Sequence, residues 1–385
     1  MLTAPEVAPS RFRWDRLTYA SAVGYAVLVC ALSIGVVLGE LREQFHLSGV
    51  VAALHGSTFG IGLLVSGAFG VRAIDRVGRR TATIIAVSLV GVGVTVFVLG
   101  PAWPVTLAGT VMSGLGGALL VMLMPGIISD HHGEHRAAAF AAVNAVPGAV
   151  GVAFALLIGA AIATGWSWRI PYLGLTVVCL VALVAVGRRA VLPAGERHGR
   201  FRIAGFLDRE VLHPWLHLIN AALVDFTPGV WAVVYLHEVG GASDGAAPAL
   251  SCVFGVMMFV SRLAVPAFLR RSERWTLPLG YVVTALGAVL MVTGPGLAVR
   301  VAGLALIGFG AAPLYPLTVD RFYSAVGHRQ DSVSMGAFCA LASGVAVTAG
   351  PLALGVLADV VGLQYGMLVV PALCVVAVLT QRRPA

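Results

Sequence analysis

SGVVAALHGSTFGIGLLVSGAFGV (48–71), RAIDRVGRR (72–80) and TATIIAVSLVGVGVTVFVLG (81–100) follow one another in the chain, and the contrast between them decides the fold. Each outer run is apolar over the ~20 helical residues that cross a hydrocarbon layer about 30 Å thick. The link between them packs four arginines and one acid around a glycine, which reads as a tight turn at the membrane edge.

The same alternation continues outward from this stretch in both directions. Apolar runs near 17–39, 48–71, 81–100, 103–128, 137–163 and 168–187 predict six helices, and runs near 213–236, 247–269, 276–294, 298–319, 333–357 and 363–380 predict six more. The expected fold is an all-α membrane protein with twelve transmembrane helices in two pseudo-symmetric six-helix bundles. Its expected domains are an N-terminal tail (1–16), a first bundle (17–187), a polar linker (188–212), a second bundle (213–380) and a C-terminal tail (381–385). Composition agrees: 59% of the 385 residues are hydrophobic and 11% charged, against roughly a quarter charged in soluble domains.

Arginine placement tests the helix count independently, because basic residues collect on the cytoplasmic side. All 25 basic residues are arginine, and with both termini inside only Arg42, Arg169 and Arg300 fall outside. This predicts a multi-pass protein of a bacterial inner membrane with cytoplasmic termini. The charge of +8 lies in loops rather than on one basic face, so no nucleic-acid partner is expected. The five cysteines stand singly in apolar runs and read as packing residues, and neither a metal nor a cofactor is expected. The apolar run after the N-terminal tail is too long for a signal h-region.

The two halves echo each other. Gly114-Leu115-Gly116-Gly117-Ala118 returns as Gly308-Phe309-Gly310-Ala311-Ala312, an offset of 194 residues, and Pro147 with Gly151 resembles Pro351 with Gly355. Internal repeats of this kind mark carriers whose halves rock about a central site.

The turn Asp75-Arg76-Val77-Gly78-Arg79-Arg80 resembles the signature Gly-x-Leu-x-Asp-Arg-x-Gly-Arg-Arg of the major facilitator superfamily, with Val71 at the first glycine and Ala73 at the leucine. Trp166-Ser167-Trp168-Arg169, the glycine-rich fourth helix and Gly350 to Gly355 are similar to the same family. The resemblance implies a transporter, and a conformational latch made of Asp75, Arg76, Gly78, Arg79 and Arg80. The run Val224 to Trp231 is similar to the fucose-permease-like branch. That branch couples protons through acids in helices 1 and 4, whereas here helix 1 has only Glu40 at its outer end, helix 4 has none, and Thr110 stands where many members carry arginine.

Asp225 is the residue expected to carry coupling. Counting from either end of helix 7 places it near the midplane, where an acid costs about 2.5–3.5 kcal/mol on insertion scales. Pro228 lacks the N–H that would bond the Val224 carbonyl, which predicts a broken helix and hence a cavity beside the acid. Asp225 is expected to bind a proton or a cationic substrate group; the alternative is a structural acid satisfied by a hydroxyl, a tyrosine or Arg262. His55, Asn144, Asn220, Tyr25, Phe226, Trp231, Tyr315 and Phe338 are the other candidate cavity-lining residues, each also readable as packing or interhelical glue. With no arginine at the expected midplane, the cavity suits neutral, amphipathic or cationic solutes better than organic anions.

The expected activity is therefore proton-coupled efflux of a small solute by alternating access, the partners being that solute, protons and the bilayer, with the chain a monomer. Uptake or facilitated diffusion of a small metabolite, and a sensor or lipid-handling role on the same fold, are the alternatives. His131-His132-Gly133-Glu134-His135 also fits the His-x-x-Glu-His pattern of some zinc peptidases, but a glycine-interrupted loop does not supply the closed three-ligand pocket such chemistry requires.

Overall fold

In the computed structural model, residues 13–132, 136–190, 192, 208–326 and 332–380 are described. Most of the expected N-terminal tail and linker, the whole C-terminal tail and residues 133–135 lie outside them. Among the described residues there is no strand, and twelve helices are long and apolar enough to cross a membrane. In chain order they are α1 (Arg16–Phe45), α2 (Gly49–Val77), α3 (Arg79–Leu99), α4 (Trp103–His132), α5 (Arg136–Ala163), α6 (Arg169–Gly187), α7 (Arg209–Glu238), α8 (Ala246–Val265), α9 (Arg274–Thr293), α10 (Gly296–Ala325), α11 (Ser332–Val361) and α12 (Leu363–Thr380).

Local chemistry fixes the helix ends. Asp15 caps α1 by accepting from the Thr18 N–H at 2.8 Å, and Ser48 caps α2 by accepting from Val51 N–H at 3.3 Å. Gly78 adopts φ 82° and its N–H bonds the Ile74 carbonyl at 2.8 Å, so α2 stops and α3 starts with no intervening loop. Only glycine takes that backbone without strain.

Several helices are not regular throughout. The backbone of α1 tightens to a 3-10 turn at Ser33–Val37 and that of α2 widens to a π turn at Ser66–Gly70. Ser272 leaves helical geometry between α8 and α9, and α10 breaks between Ala311 and Leu314, where Pro313 has no N–H to offer. The expected break at Pro228 does not occur: α7 runs helical through both Pro214 and Pro228. One missing hydrogen bond is absorbed there because the segment is clamped, with the Trp231 indole N–H donating to the Pro351 carbonyl at 3.2 Å.

The repeat seen in the sequence is a repeat of packing. A Cβ on Gly93 would stand 2.7 Å from the Gly109 carbonyl oxygen, so α3 and α4 touch backbone to backbone; the positions 194 residues on, Gly287 and Gly303, make the same 2.7 Å approach between α9 and α10. Gly116 against Ala86 is matched by Gly310 against Gly280. In each half the same glycines thus weld this helix pair, and α4 also meets α2, as α10 meets α8, through Gly114 and Gly308.

Between the halves, α2 lies along α11, α1 meets α7 and α5 meets α8. The α2–α11 seam is equally tight, since a Cβ on Gly60 would sit 2.4 Å from both the backbone nitrogen and the hydroxyl of Thr348. At the face opposite the α2–α3 turn the seam is polar: Asp359 on α11 accepts from Gly49 N–H at 2.8 Å and Val50 N–H at 3.1 Å, and Arg42 pairs with Glu238. The halves therefore touch firmly at this face.

Gly60→Ala is expected to destabilise the protein by about 1–3 kcal/mol through overpacking, lowering its thermal midpoint in detergent by a few degrees. Gly174→Ala, where an added Cβ meets nothing within 4 Å, should leave the midpoint unchanged or slightly higher, since alanine favours helix by roughly 0.5–1 kcal/mol. Equal midpoints for the two variants would contradict the seam.

Candidate functional site

Where the halves diverge, toward the face that carries the α2–α3 turn, they enclose a cavity of about 620 Å³. That size suits a small organic molecule. Its walls come from α2, α3 and α4 on one side and α7, α10 and α11 on the other. Most of the lining is apolar, with hydroxyls from Ser66, Ser343, Tyr315 and Tyr323; among the described residues its charged side chains are Asp225 and Arg79.

Asp225 sits on the α7 wall, half-buried. Its Oδ1 is closed off from solvent and has no hydrogen-bond partner, and no cation among the described residues lies within ion-pair distance. Arg262, the expected alternative partner, is exposed on α8. An unpartnered carboxylate oxygen in a low-dielectric wall is costly, and a proton, a cation or a hydrogen-bond donor would relieve it. Close by in sequence, the Asn220 amide donates to the Leu373 carbonyl at 3.1 Å while its oxygen and the Thr227 hydroxyl are likewise buried without partners.

Of the other expected lining residues, Phe226 and Tyr315 border the cavity, and the Tyr315 hydroxyl bonds the Ser343 hydroxyl at 2.7 Å. The rest do not. His55 is buried between α2 and α4, with Nε2 3.0 Å from the Thr106 hydroxyl and Nδ1 3.1 Å from the Val51 carbonyl, so it ties helices together. Tyr25 packs against Ala22, Ile128, Ala139 and Val143. Trp231 is spent on the Pro351 carbonyl, Phe338 packs edge-on to Phe322 at 6.2 Å, and Asn220 binds the α12 backbone. The side chain of Asn144 lies outside the described residues, though its backbone is part of α5.

Within the expected latch, Gly78 makes the turn while Asp75, Arg76 and Arg80 are exposed. Arg79 is half-buried, lines the cavity end and forms an ion pair with Asp130 at the end of α4. Asp130 and the opposite-face residues Arg42, Glu238 and Asp359 had no motif to mark them. Beside Asp130, His131 pairs with Asp15. Partial burial pushes the Asp15 carboxyl up, but hydrogen bonds from Thr18 and His131, with the field of His131, outweigh it and hold the group at about 2. The remainder of the His-x-x-Glu-His pattern, residues 133–135, lies outside the described residues.

Comparison with known proteins places this geometry. A transporter of Sinorhizobium fredii (strain NBRC 101917 / NGR234), "Uncharacterized transporter y4wD", is 31% identical over 134 residues, 34% of each chain. The human "Solute carrier family 2, facilitated glucose transporter member 12" is 27% identical over 159 residues, 39% of this chain and 26% of that one. The match thus spans about a third or less of these relatives. Among solved structures, the nucleoside transporter NupG superposes with a TM-score of 0.73 at 11% identity over 94% of this chain and 96% of that one. The xylose transporter XylE from E. coli, in a partially occluded inward open conformation, gives 0.74 at 16% identity over 94% and 96%. A bacterial homologue of the human lysosomal transporter Spinster gives 0.71 at 15% over 94% and 95%. The sequence model of the Major Facilitator Superfamily matches residues 21–338, and with twelve helices in two repeated halves around a shared cavity the chain belongs to that superfamily, a family of transporters rather than enzymes.

Proposed function

We propose that the chain carries a small neutral, amphipathic or cationic solute out of the cell by alternating access, driven by protons that exchange at Asp225. The observation that supports this most is the carboxylate itself: Oδ1 of Asp225 is buried, unpartnered and set in the wall of the cavity between the halves. Proton and cationic or hydrogen-bonding solute would relieve the same vacant acceptor, so each would displace the other, which is the linkage antiport requires. The apolar lining, and the engagement of Arg79 with Asp130, favour such solutes over organic anions.

In this reading the face bearing the α2–α3 turn is cytoplasmic in a bacterial inner membrane, with both termini on that side, and the single chain of two six-helix bundles (17–187 and 213–380) is the working unit. The Asp359 contacts with α2 and the Arg42–Glu238 pair then form the outer gate, and the structure is a cavity-inward state. A second reading, uptake or facilitated diffusion of a neutral polyol, is favoured by the hydroxyls of Ser66, Ser343 and Tyr315 on the wall and by the sugar transporters among the relatives.

Asp225→Asn keeps the shape and removes the titration. Everted vesicles should lose proton-driven uptake of a cationic dye such as ethidium by tenfold or more, and what flux remains should be flat between pH 6 and 8. Normal flux with an unchanged pH profile would sink the coupling scheme.

Asp359→Asn weakens the cap on α2 by about 1 kcal/mol at this exposed edge, so the outward-open population should rise about fivefold. Electron-spin distance measurements between labels at the outer ends of α1 and α7 should show the longer distance gain weight; an unchanged distribution would remove Asp359 from the gate.

A further inference from the structure

We propose that Asp15, His131 and His132 form a binding site for a divalent transition-metal ion of the zinc type on the face that carries the α2–α3 turn. One ligand atom from each, a carboxylate oxygen and two imidazole nitrogens, lies within 4.8 Å of the other two. Ligands around one such ion, at about 2.0–2.2 Å from it, stand roughly 3–4 Å apart, so the three groups are already near the spacing that an ion requires. Two imidazoles and one carboxylate are a borderline donor set that suits zinc and its neighbours and leaves a coordination position for water.

The surroundings hold the set in place. Thr18 donates to Asp15 Oδ1 twice, from its N–H at 2.8 Å and its hydroxyl at 2.7 Å. This fixes the carboxylate and leaves Oδ2 as the ligand atom facing His131, the kind of outer-shell support that orients metal ligands. His132 Nε2 lies 2.9 Å from the same Thr18 hydroxyl, and the two imidazoles meet edge-on with centroids 4.8 Å apart. Both histidines end α4, where the free carbonyls of the last turn favour a cation. A metal ion would take the place of the direct contacts of His131 with Asp15 and of His132 with Thr18.

This arrangement differs from the peptidase reading of the same stretch, which needed Glu134 and His135. It is a clip, joining the start of α1 to the end of α4 one residue from Asp130, the partner of Arg79 at the cavity end. It does not depend on Asp225 or on the direction of transport.

The test uses the full chain without a histidine tag, purified in detergent, titrated with Co²⁺ read by its visible absorption and then with Zn²⁺ in competition. One equivalent should bind. Asp15→Asn, which preserves the helix cap, should weaken binding roughly tenfold or more, and His131→Gln/His132→Gln roughly a hundredfold. His213→Gln/His217→Gln, which removes another histidine pair one turn apart on α7, should bind as the parent does. Absence of binding in the parent, equal affinity in the Asp15 and His131/His132 variants, or loss in the His213/His217 variant instead would each overturn the site. Should the double variant fail to fold, Asp15→Asn alone decides.

Discussion

A side chain of one half completes the backbone of the other. The first N–H groups of any helix lack intrahelical acceptors, and at the start of α2 two of them are satisfied by Asp359, which arrives from α11. The contact is possible because Gly355 and Gly49 let the two backbones approach until no Cβ would fit between them. Everything beneath depends on this closure, since helices held together at one face and splayed at the other must leave a wedge of space, and the wedge is the cavity. The ion pair of Arg42 with Glu238 reinforces the same face, but it joins flexible side chains, whereas the Asp359 cap holds the main chain.

Below that closure, rigidity is distributed unevenly. The welded pairs α3–α4 and α9–α10 occupy equivalent places in the two halves and are built by glycines at equal spacing, so the duplication visible as a short glycine echo is a duplication of stiff bodies. In a bilayer the lipid offers no hydrophobic gain for helix association, and close backbone approach is the main substitute. Within each half the helices are therefore joined by backbone contact rather than by side chains alone.

The number of helices and their approximate places in the chain were legible because apolar length is a one-dimensional signal. The place of Asp225 on the cavity wall was expected from its position midway along helix 7. What could not be read was rotation about each helix axis. At 100° per residue, Trp231 stands well away from the Asp225 face, and Phe338 is turned away from Gly336 and Ala340, which do line the cavity. In helices apolar all round, no stripe announces which side is inside, so aromatic residues at the right depth were as often on the wrong face. His55 illustrates a related ambiguity, since a polar group at membrane depth has to bond something and the Thr106 hydroxyl serves as well as a ligand would. Cross-half partners such as Gly49 and Asp359 are distant in sequence and carry no pattern, so only folding brings them together. The unbroken helix at Pro228 marks the opposite error, a local rule overruled by packing around Trp231.

The direct junction at Gly78 has a mechanical meaning. Because α2 passes into α3 through a single residue, there is no slack to absorb a tilt of α2, and the guanidinium of Arg79 is carried along whenever that helix swings. The far end of α2 rests on the other half through Asp359, so this one helix runs from the contact between the halves to the turn that sets Arg79 against Asp130. The π turn at Ser66–Gly70 lies between those two ends, where Ser66 brings its hydroxyl to the cavity.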